Sequence, residues 1–233
     1  MIDIIQNRYY CFPDIHGCNE VLQKALKFVY KQNPEGGKII FLGDYIDRGP
    51  DNYGVLQTVM NPPENWEFVC LLGNHEEMFL DSYVRRTEFY NEKAARDIAG
   101  FEQDDFVSYE HVHQGMDKSV IEWMYGLELV HIEDKNVFAH AFYDDTKKPE
   151  DQVSRDVVWT RMDNWMKFPN DNQGFYLTHG HTPRKHAPIK SPNRVNLDAG
   201  AVFYGRYVIA EYYKDIQGPT NFHEFFFEDY LDK

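Results

Sequence analysis

The sequence predicts a mixed α/β protein, and three observations support this fold class. Short apolar runs of four or five residues recur along the chain of 233 residues, and each ends in a cluster of polar residues. The runs alternate little and are rich in β-branched and aromatic residues, which is typical of strands buried on both faces. Between the first two runs, apolar residues recur at helical spacing, which indicates a β-α-β unit.

The first elements follow in chain order. We predict the first three strands at residues 8–12, 38–42 and 68–72. Between the first two strands, residues 18–32 form one apolar helical face, with Asn19 as the predicted N-cap. A second helix is predicted at residues 51–60, because the prolines within residues 61–65 end the pattern.

The middle of the chain has a different character. Residues 77–126 combine many charges with helical periodicity, and we predict that they form a helical insertion. Six more strand patterns follow: LELVHIE, NVFAHAF, GFYLTH, RVNLD, RYVIAEYY and HEFFFE. The acidic, aromatic end of the chain is expected to be an edge strand with a solvated tail. We therefore predict a single domain over residues 1–233.

Charge and composition exclude several classes of partner. The formal net charge of −14 disfavours nonspecific binding to nucleic acids and to anionic membranes. The sequence contains no stretch of about eighteen consecutive apolar residues, the length of a membrane span. The three cysteines are unclustered and odd in number, which indicates reduced thiols. These features predict a soluble, cytoplasmic protein.

The polar clusters carry the chemistry. In an open α/β sheet, ligands bind beyond the carboxyl ends of the strands, where these clusters stand. The clusters together offer Asp14, His16, Asp44, Asp47, Arg48, Asn74, His75, His140 and His181. Carboxylate oxygen and imidazole nitrogen suit manganese, iron or zinc. Three candidate ligands directly follow a glycine, at Gly43, Gly73 and Gly180, where the missing side chain permits a sharp turn or a close approach.

The order of these motifs resembles that of a known family. DIHG, GDYIDRG, GNHE, HA at residue 140 and GHT at residues 180–182 are similar to the signature of the phosphoprotein phosphatases, within the calcineurin-like metallophosphoesterases. The later segment NLDAGAVFYGR resembles the closing strand of that family. The resemblance implies a four-layer fold, in which a central β-sandwich of mixed sheets is flanked by helices. It also implies a phosphoesterase with two metal ions.

The same resemblance implies a ligand set. Asp14 and His16 would hold the first metal, and Asp44 would bridge both. The second metal would be completed by Asn74, His140 and His181. The expected ions are divalent, with manganese first and iron, zinc or nickel as alternatives. Such a pair would supply a bridging hydroxide for in-line attack on phosphorus.

The remaining motif residues acquire roles by the same resemblance. His75 corresponds to the general acid that protonates the leaving group, and Asp47 would orient it. Arg48 corresponds to the arginine that grips the phosphate, together with Asn74. Arg161 resembles a second phosphate-binding arginine, which follows a tryptophan-containing strand in bacterial and viral members. The chain departs from the family at Pro13, which replaces glycine, and at Phe142, which could narrow the pocket.

Several functions are compatible with this core. The first hypothesis is a phosphomonoesterase, specifically a Ser/Thr protein phosphatase, acting on phosphorylated proteins or small phosphoesters. The second changes the substrate to dinucleoside polyphosphates such as diadenosine tetraphosphate, or to RNA-end or cyclic phosphates, with the basic residues 183–190 meeting the extra phosphates. The third is a noncatalytic scaffold that retains the fold, although no ligand or acid residue is missing.

Overall fold

The computed structural model describes residues 7–85, 117–161 and 174–227. Within them lie ten strands: β1 (Arg8–Phe12), β2 (Gly37–Phe41), β3 (Trp66–Cys70), β4 (Val130–Glu133), β5 (Asn136–Ala139), β6 (Tyr176–His179), β7 (Ile189–Ser191), β8 (Arg194–Asn196), β9 (Arg206–Tyr213) and β10 (Asn221–Phe226). The described helices are α1 (Asn19–Gln32), α2 (Asn52–Met60), α3 (Asn74–Arg85), α4 (Lys118–Tyr125), α5 (Ser154–Trp159) and α6 (Ala201–Tyr204), with one 3-10 turn at Pro149–Asp151. None of the described helices is long and apolar enough to cross a bilayer.

The strands form two five-stranded mixed sheets. The first has the order β10-β9-β1-β2-β3. Strands β1, β2 and β3 are parallel to one another, β9 pairs antiparallel with β1, and β10 pairs antiparallel with β9. The second has the order β4-β5-β6-β8-β7, with β5, β6 and β8 parallel. A parallel bridge between Leu71 and Glu128 joins the sheets beside β3. The predicted sandwich of mixed sheets is confirmed, and so is the β-α-β unit.

Side chains alternate between two cores along each central strand. In β1, Tyr9 and Cys11 belong to the cluster between the two sheets, whereas Tyr10 and Phe12 belong to the cluster under the helices. Because successive side chains of a strand point to opposite faces, an uninterrupted apolar run fits a strand covered on both sides. A third cluster packs α5 against the outer face of the second sheet. These clusters produce the four layers.

The start of α1 differs from the prediction. Cys18, and not Asn19, occupies the N-cap position, and its side chain makes no capping hydrogen bond. The Asn19 amide instead donates to Asp51 over 2.7 Å, and Asp51 caps α2 by accepting the N–H of Gly54. The tertiary contact between the two helix starts therefore takes the side chain away from its local capping role.

Three further segments differ from their predictions or extend beyond the described residues. The segment NLDAGAVFYGR is not one strand, because α6 separates β8 from β9. In the predicted insertion, α3 contacts α4, but residues 86–116 lie outside the described residues, so the insertion stays a prediction. The C-terminal strand β10 lies at a sheet edge, as predicted, and the predicted tail at residues 228–233 lies outside the described residues.

One buried amide joins the two sheets. Asn136, at the start of β5, is fully buried. Its amide donates to the Tyr9 hydroxyl of β1 (3.0 Å) and to the carbonyl of Ile216 (2.9 Å), and its oxygen accepts the N–H of Gly218 (2.7 Å). A single side chain thus satisfies three polar groups at the sandwich edge.

We expect Asn136→Ala to lower the free energy of unfolding by about 2–4 kcal/mol, because it leaves these buried polar groups without partners. Urea unfolding followed by circular dichroism measures the change. Asn61→Ala is the matched control, since that amide donates to the Gln57 carbonyl at an exposed helix end, and we expect a change within about 0.5 kcal/mol. Equal effects of the two substitutions would contradict this role of Asn136.

Candidate active site

Five loops bring the predicted site residues together, and each loop follows a strand. Three loops leave β1, β2 and β3 of the first sheet, and two leave β5 and β6 of the second. The parallel direction of these strands within each sheet places their carboxyl ends along one edge. Seven of the predicted residues are buried there although they are polar: Asp14, His16, Asp44, Asn74, His75, His140 and His181.

One set of donor atoms converges around Asp44, His140 and His181. The Nε2 atom of His140 lies 3.5 Å from Asp44 Oδ2 and 3.2 Å from Nδ1 of His181. The Oδ1 atom of Asn74 lies 3.0 Å from each of these two imidazole nitrogens. Four side chains from four loops therefore direct oxygen and nitrogen atoms at a common centre.

A second set lies on the other side of the same carboxylate. His16 Nε2 is 3.4 Å from Asp44 Oδ2, so this oxygen is shared by both sets. The His75 ring stands perpendicular to the His16 ring, with centroids 4.7 Å apart. Ligand atoms of His16, Asp44 and His75 are close enough together to hold a metal ion, as are those of Asp44, His140 and His181.

Backbone carbonyls fix the orientation of two of these imidazoles. His16 Nδ1 lies 2.8 Å from the Ile46 carbonyl, and His140 Nδ1 lies 2.9 Å from the Leu42 carbonyl. A carbonyl oxygen only accepts, so each Nδ1 donates its proton and each Nε2 keeps a lone pair. A hydrogen bond from the other ring nitrogen to a backbone carbonyl is typical of metal-bound histidines.

The donor set fits a cation. Around the first centre, the lone pair of His140 Nε2 faces a carboxylate oxygen and an amide oxygen, both of which are acceptors. Burial lowers the pKa of His16 to about 3, and burial together with His140 lowers the pKa of His181 to about 3. The rings are therefore neutral at pH 7 and free to act as ligands. Mixed oxygen and nitrogen donors suit a divalent transition metal.

Asp14 lies beside the two sets and not within them. Both of its carboxylate oxygens accept the backbone N–H of His181, at 3.1 and 3.0 Å. Burial raises its pKa, and the nearby carboxylates of Asp198 and Asp44 raise it further. Such a concentration of buried anions is stabilised by bound cations. Asp14 thus lies next to His181 and adds a third buried carboxylate to the group formed with Asp44 and Asp198.

His75 and Asp47 form a close pair at the rim. His75 Nδ1 lies 2.5 Å from Asp47 Oδ2, and the His75 backbone N–H donates to Asp44 Oδ1 over 3.0 Å. Burial alone lowers the pKa of His75, but Asp44 and the hydrogen bond with Asp47 outweigh it, so the pKa lies above its ordinary value. The pair can therefore present a proton on Nε2 to a bound molecule.

The two arginines lie on different loops. One Nη1 of Arg48 contacts Nε2 of His16. Arg161 is exposed, yet its charge contributes to the lowered pKa of His181, so it lies close to the centre. It follows helix α5 and not a strand, which corrects the prediction for this segment. The Trp159 indole at the end of that helix donates to Glu77 Oε2 over 2.5 Å and ties the segment to α3.

Sequence reasoning assigned no role to Glu76, although it stands in GNHE. This fully buried carboxylate accepts four backbone N–H groups: those of Gly73, Asp44, Tyr45 and Ile46, at distances of 2.8–3.2 Å. Burial and the neighbouring Asp44 raise its pKa to about 8, and the hydrogen bonds oppose that rise. Its position in the motif, directly after two site residues, was the available signal.

Asp198 was also missed. It is buried, and burial raises its pKa to about 7, with Asp44 adding to the rise and Arg48 and Arg161 opposing it. Its Oδ1 accepts the N–H of Gly200 over 2.9 Å. The only signal in the sequence was its place within the family-like segment NLDAGAVFYGR.

Backbone strain is concentrated at this site. Seven non-glycine residues in the described part of the chain have positive φ, and five of them are His16, Asp44, Asp47, Arg48 and His181. Side chains rarely adopt this region, and such strain persists only where surrounding contacts determine it. The loops are therefore held in shape by the folded protein around them.

Two glycines make this packing possible. A Cβ on Gly73 would lie 2.3 Å from Asp44 Oδ1, and one on Gly180 would lie 2.0 Å from Asp14 Oδ1.

The two departures from the family pattern, Pro13 and Phe142, are both accommodated. The carbonyl of Pro13 accepts the Tyr207 hydroxyl (3.0 Å). Phe142 is half-buried and packs against the cluster around α5. The side chain that was expected to narrow the pocket therefore packs against this cluster.

Comparisons with known proteins agree with this geometry. The model of the calcineurin-like phosphoesterase family matches residues 8–215. Serine/threonine-protein phosphatase 1 of Salmonella typhimurium is 28% identical over 203 residues, which cover 84% of this chain and 88% of the relative. The bis(5'-nucleosyl)-tetraphosphatase PrpE [asymmetrical] of Anoxybacillus flavithermus is 28% identical over 228 residues, or 88% of this chain and 90% of the relative.

A solved structure supports the fold. The metallophosphoesterase from Sphaerobacter thermophilus superimposes with a TM-score of 0.55 at 16% identity, covering 95% of this chain and 89% of that chain. The family model spans most of the sequence, including all five motif loops. The chain therefore belongs to the calcineurin-like phosphoesterase family and is an enzyme of the metallophosphoesterase class.

Proposed function

We propose that this protein is a metal-dependent phosphomonoesterase that dephosphorylates phosphoserine and phosphothreonine in proteins. The observation that carries the proposal is the pair of donor sets that share the Asp44 carboxylate. A carboxylate shared between two clusters of buried oxygen and nitrogen donors is suited to two adjacent cations. Two cations can polarise a phosphoryl group from both sides of an in-line displacement.

We propose that two divalent ions, manganese first, bind the six residues Asp14, His16, Asp44, Asn74, His140 and His181. When bound, they supply an activated water nucleophile and neutralise the charge of the phosphoryl oxygens. The chain's own task is to keep the imidazoles neutral and the carboxylates ionised. Burial lowers the pKa of His16 and so keeps its ring neutral. Burial also raises the pKa of Asp44, but the His75 N–H and the His75 ring, whose own pKa is raised, counteract that effect and help to keep Asp44 ionised.

The arginines are proposed to hold the phosphate. Arg48 leaves a strained loop beside Asp44, and Arg161 is close enough to His181 for its charge to lower the pKa of that ring. A guanidinium presents several N–H donors in one plane and matches two phosphate oxygens at once. Asn74 is proposed to assist through its amide N–H, since its Oδ1 faces the imidazoles.

His75 is proposed as the general acid. The contact with Asp47 fixes a proton on Nδ1 and leaves Nε2 to carry the proton that is donated. Leaving alkoxides such as those of serine and threonine need that proton, because they are strong bases. Asp47 is proposed as the residue that orients the ring.

A second candidate function is hydrolysis of dinucleoside polyphosphates. It is favoured by the relative PrpE, whose name gives that activity and which matches 88% of this chain. It is also favoured by a surface cavity of about 400 Å³ lined by two aromatic rings and three basic residues: Lys185, His186, Tyr204, Arg206 and Phe226. Cationic groups and aromatic faces are the contacts that phosphates and bases use.

We also propose that the protein works in the cytoplasm. Its three cysteines are free thiols, and two of them are buried. Reduced cysteines are typical of proteins in a reducing compartment.

Turnover of a panel of substrates tests the two candidates. With Mn²⁺, we expect hydrolysis of p-nitrophenyl phosphate that a chelator abolishes, and a higher kcat/KM for a phosphoseryl peptide than for diadenosine tetraphosphate. The reverse ratio would favour the second candidate. Absence of turnover on all three substrates with manganese, iron, zinc and nickel would contradict both.

Asp44→Asn tests the shared carboxylate. The substitution keeps the shape and removes the charge from both donor sets, so we expect the affinity for Mn²⁺ to fall by at least about 10–100-fold at both sites. Calorimetric titration measures affinity and stoichiometry. Asp51→Asn is the matched control, because that carboxylate caps α2 outside the donor sets. Retention of two tightly bound ions by Asp44→Asn would contradict the bridging role.

His75→Asn tests the proton donor through the choice of leaving group. We expect kcat to fall by about 10²–10³-fold for an alkyl phosphate, whose alkoxide needs a proton, and by much less for p-nitrophenyl phosphate, whose phenolate leaves unaided. Asp47→Asn should act in the same direction and more weakly. His131→Asn is the control, because this residue pairs with Glu128 and Glu133 outside the site. Equal losses on both substrates would exclude His75 as the acid.

A further inference from the structure

An exposed aromatic ring lies against the phosphate-gripping arginine. The centroid of the Phe203 ring is 5.5 Å from the Arg48 guanidinium carbon, within the range of a cation–π contact. Phe203 is 49% exposed, so the ring is not buried in a core. We propose that Phe203 is a positioning residue that holds Arg48 in place for phosphate binding. This inference rests on the proposed function, in which Arg48 grips phosphate.

The backbone presents this ring rigidly. Phe203 belongs to α6, a single helical turn between Gly200 and Gly205, which have φ of 68° and 65°. The N–H groups of Phe203 and Tyr204 both donate to the Gly200 carbonyl, at 2.9 and 2.8 Å. Ala201 anchors the turn in the core under the first sheet. The fold thus fixes a turn in the core and directs one large apolar ring away from it.

The same turn is connected to the site itself. The buried carboxylate of Asp198 accepts the N–H of Gly200 over 2.9 Å. Its charge interacts with those of Asp44, Arg48 and Arg161. The turn that carries Phe203 is therefore hydrogen-bonded to a buried carboxylate whose charge interacts with groups of the site.

Arg48 needs an external support. It is a long side chain on a loop in which both it and Asp47 have positive φ, at 70° and 74°. Its described hydrogen-bond contact within the site is with the lone pair of His16. A cation held by His16 would take that lone pair and repel the guanidinium. The ring of Phe203 attracts the guanidinium without depending on His16.

The contact with Phe203 leaves the arginine able to bind phosphate. A cation–π contact depends on the charge of the guanidinium and takes up none of its N–H donors. Those donors are the ones that match two phosphate oxygens. The ring therefore restricts the freedom of Arg48 without competing for the bonds that the arginine makes to substrate.

The test uses the full chain with Mn²⁺ and four variants: Phe203→Leu, Phe203→Tyr, Arg48→Ala and the double variant Phe203→Leu with Arg48→Ala. Leucine keeps an apolar side chain without a ring, and tyrosine keeps the ring. The readouts are KM and kcat on p-nitrophenyl phosphate, and the Kd of inorganic phosphate measured by calorimetry.

We expect Phe203→Leu to raise KM and the phosphate Kd about twofold to fivefold, and Phe203→Tyr to stay within about twofold of wild type. In the Arg48→Ala background, Phe203→Leu should have no further effect, because the ring acts through the arginine. An unchanged phosphate Kd in Phe203→Leu would overturn the inference. So would an equal effect in the absence of Arg48, since the ring would then act on the ligand directly.

One control variant, together with the separate measurement of binding and of hydrolysis, distinguishes failure of this inference from failure of the proposed function. Tyr125→Leu removes another exposed ring, at the end of α4, and should leave KM and the phosphate Kd unchanged. If wild type binds phosphate but hydrolyses nothing, the proposed function fails, and the calorimetric comparison still decides the role of Phe203. If wild type hydrolyses phosphoesters and Phe203→Leu matches it in both readouts, only the inference fails. Wild type that neither binds nor hydrolyses overturns both.

Discussion

The structure depends on one buried carboxylate. Asp44 is almost fully shielded from water, and an isolated buried anion is costly unless it is paired or bound to a cation. Here the His75 backbone N–H donates to Asp44 Oδ1, while the Nε2 lone pairs of His16 and His140 face Asp44 Oδ2. Because His16 comes from the first sheet and His140 from the second, this group of anion and lone pairs, which a cation would stabilise, forms only when the sandwich has closed. Fold and site are therefore specified by the same interaction.

The strained loops follow from this constraint. Asp44 itself has positive φ, as do Asp47 and Arg48, three and four residues further on. Glu76 offsets that strain, because its carboxylate accepts the N–H groups of three consecutive loop residues that no strand partner satisfies. Asp44, Asp47 and Arg48, which we propose bind metal, orient the acid and hold phosphate, thus belong to one loop, and Glu76 at the start of α3 holds that loop in place.

The sequence predicted the residues that define the family and missed those that support them. Candidate ligand positions could be proposed because each motif follows a strand and the motifs occur in a known order. Glu76 and Asp198 could not be assigned, because an acidic residue shows its buried role only once the backbone N–H groups around it are known. Asn19 was misjudged for the same reason: a distant partner, Asp51, competes with the local cap. Tertiary contacts also make Ser154–Trp159 a helix where a strand was expected.

The groups proposed to act on phosphorus explain why the substrate is harder to infer than the reaction. Every group proposed to act on phosphorus touches only the phosphoryl group or the atom that leaves it, and these are the same in a phosphoprotein and in a nucleotide. Relatives named for the two activities accordingly match this chain equally well, at 28% identity. Discrimination must therefore come from residues that contact the rest of the substrate, such as those of the cavity beside Tyr204. The lining of that cavity comes from residues 185–186, from α6, from the start of β9 and from the end of β10, outside the five motif loops, so the motifs that predict the reaction carry no information about it.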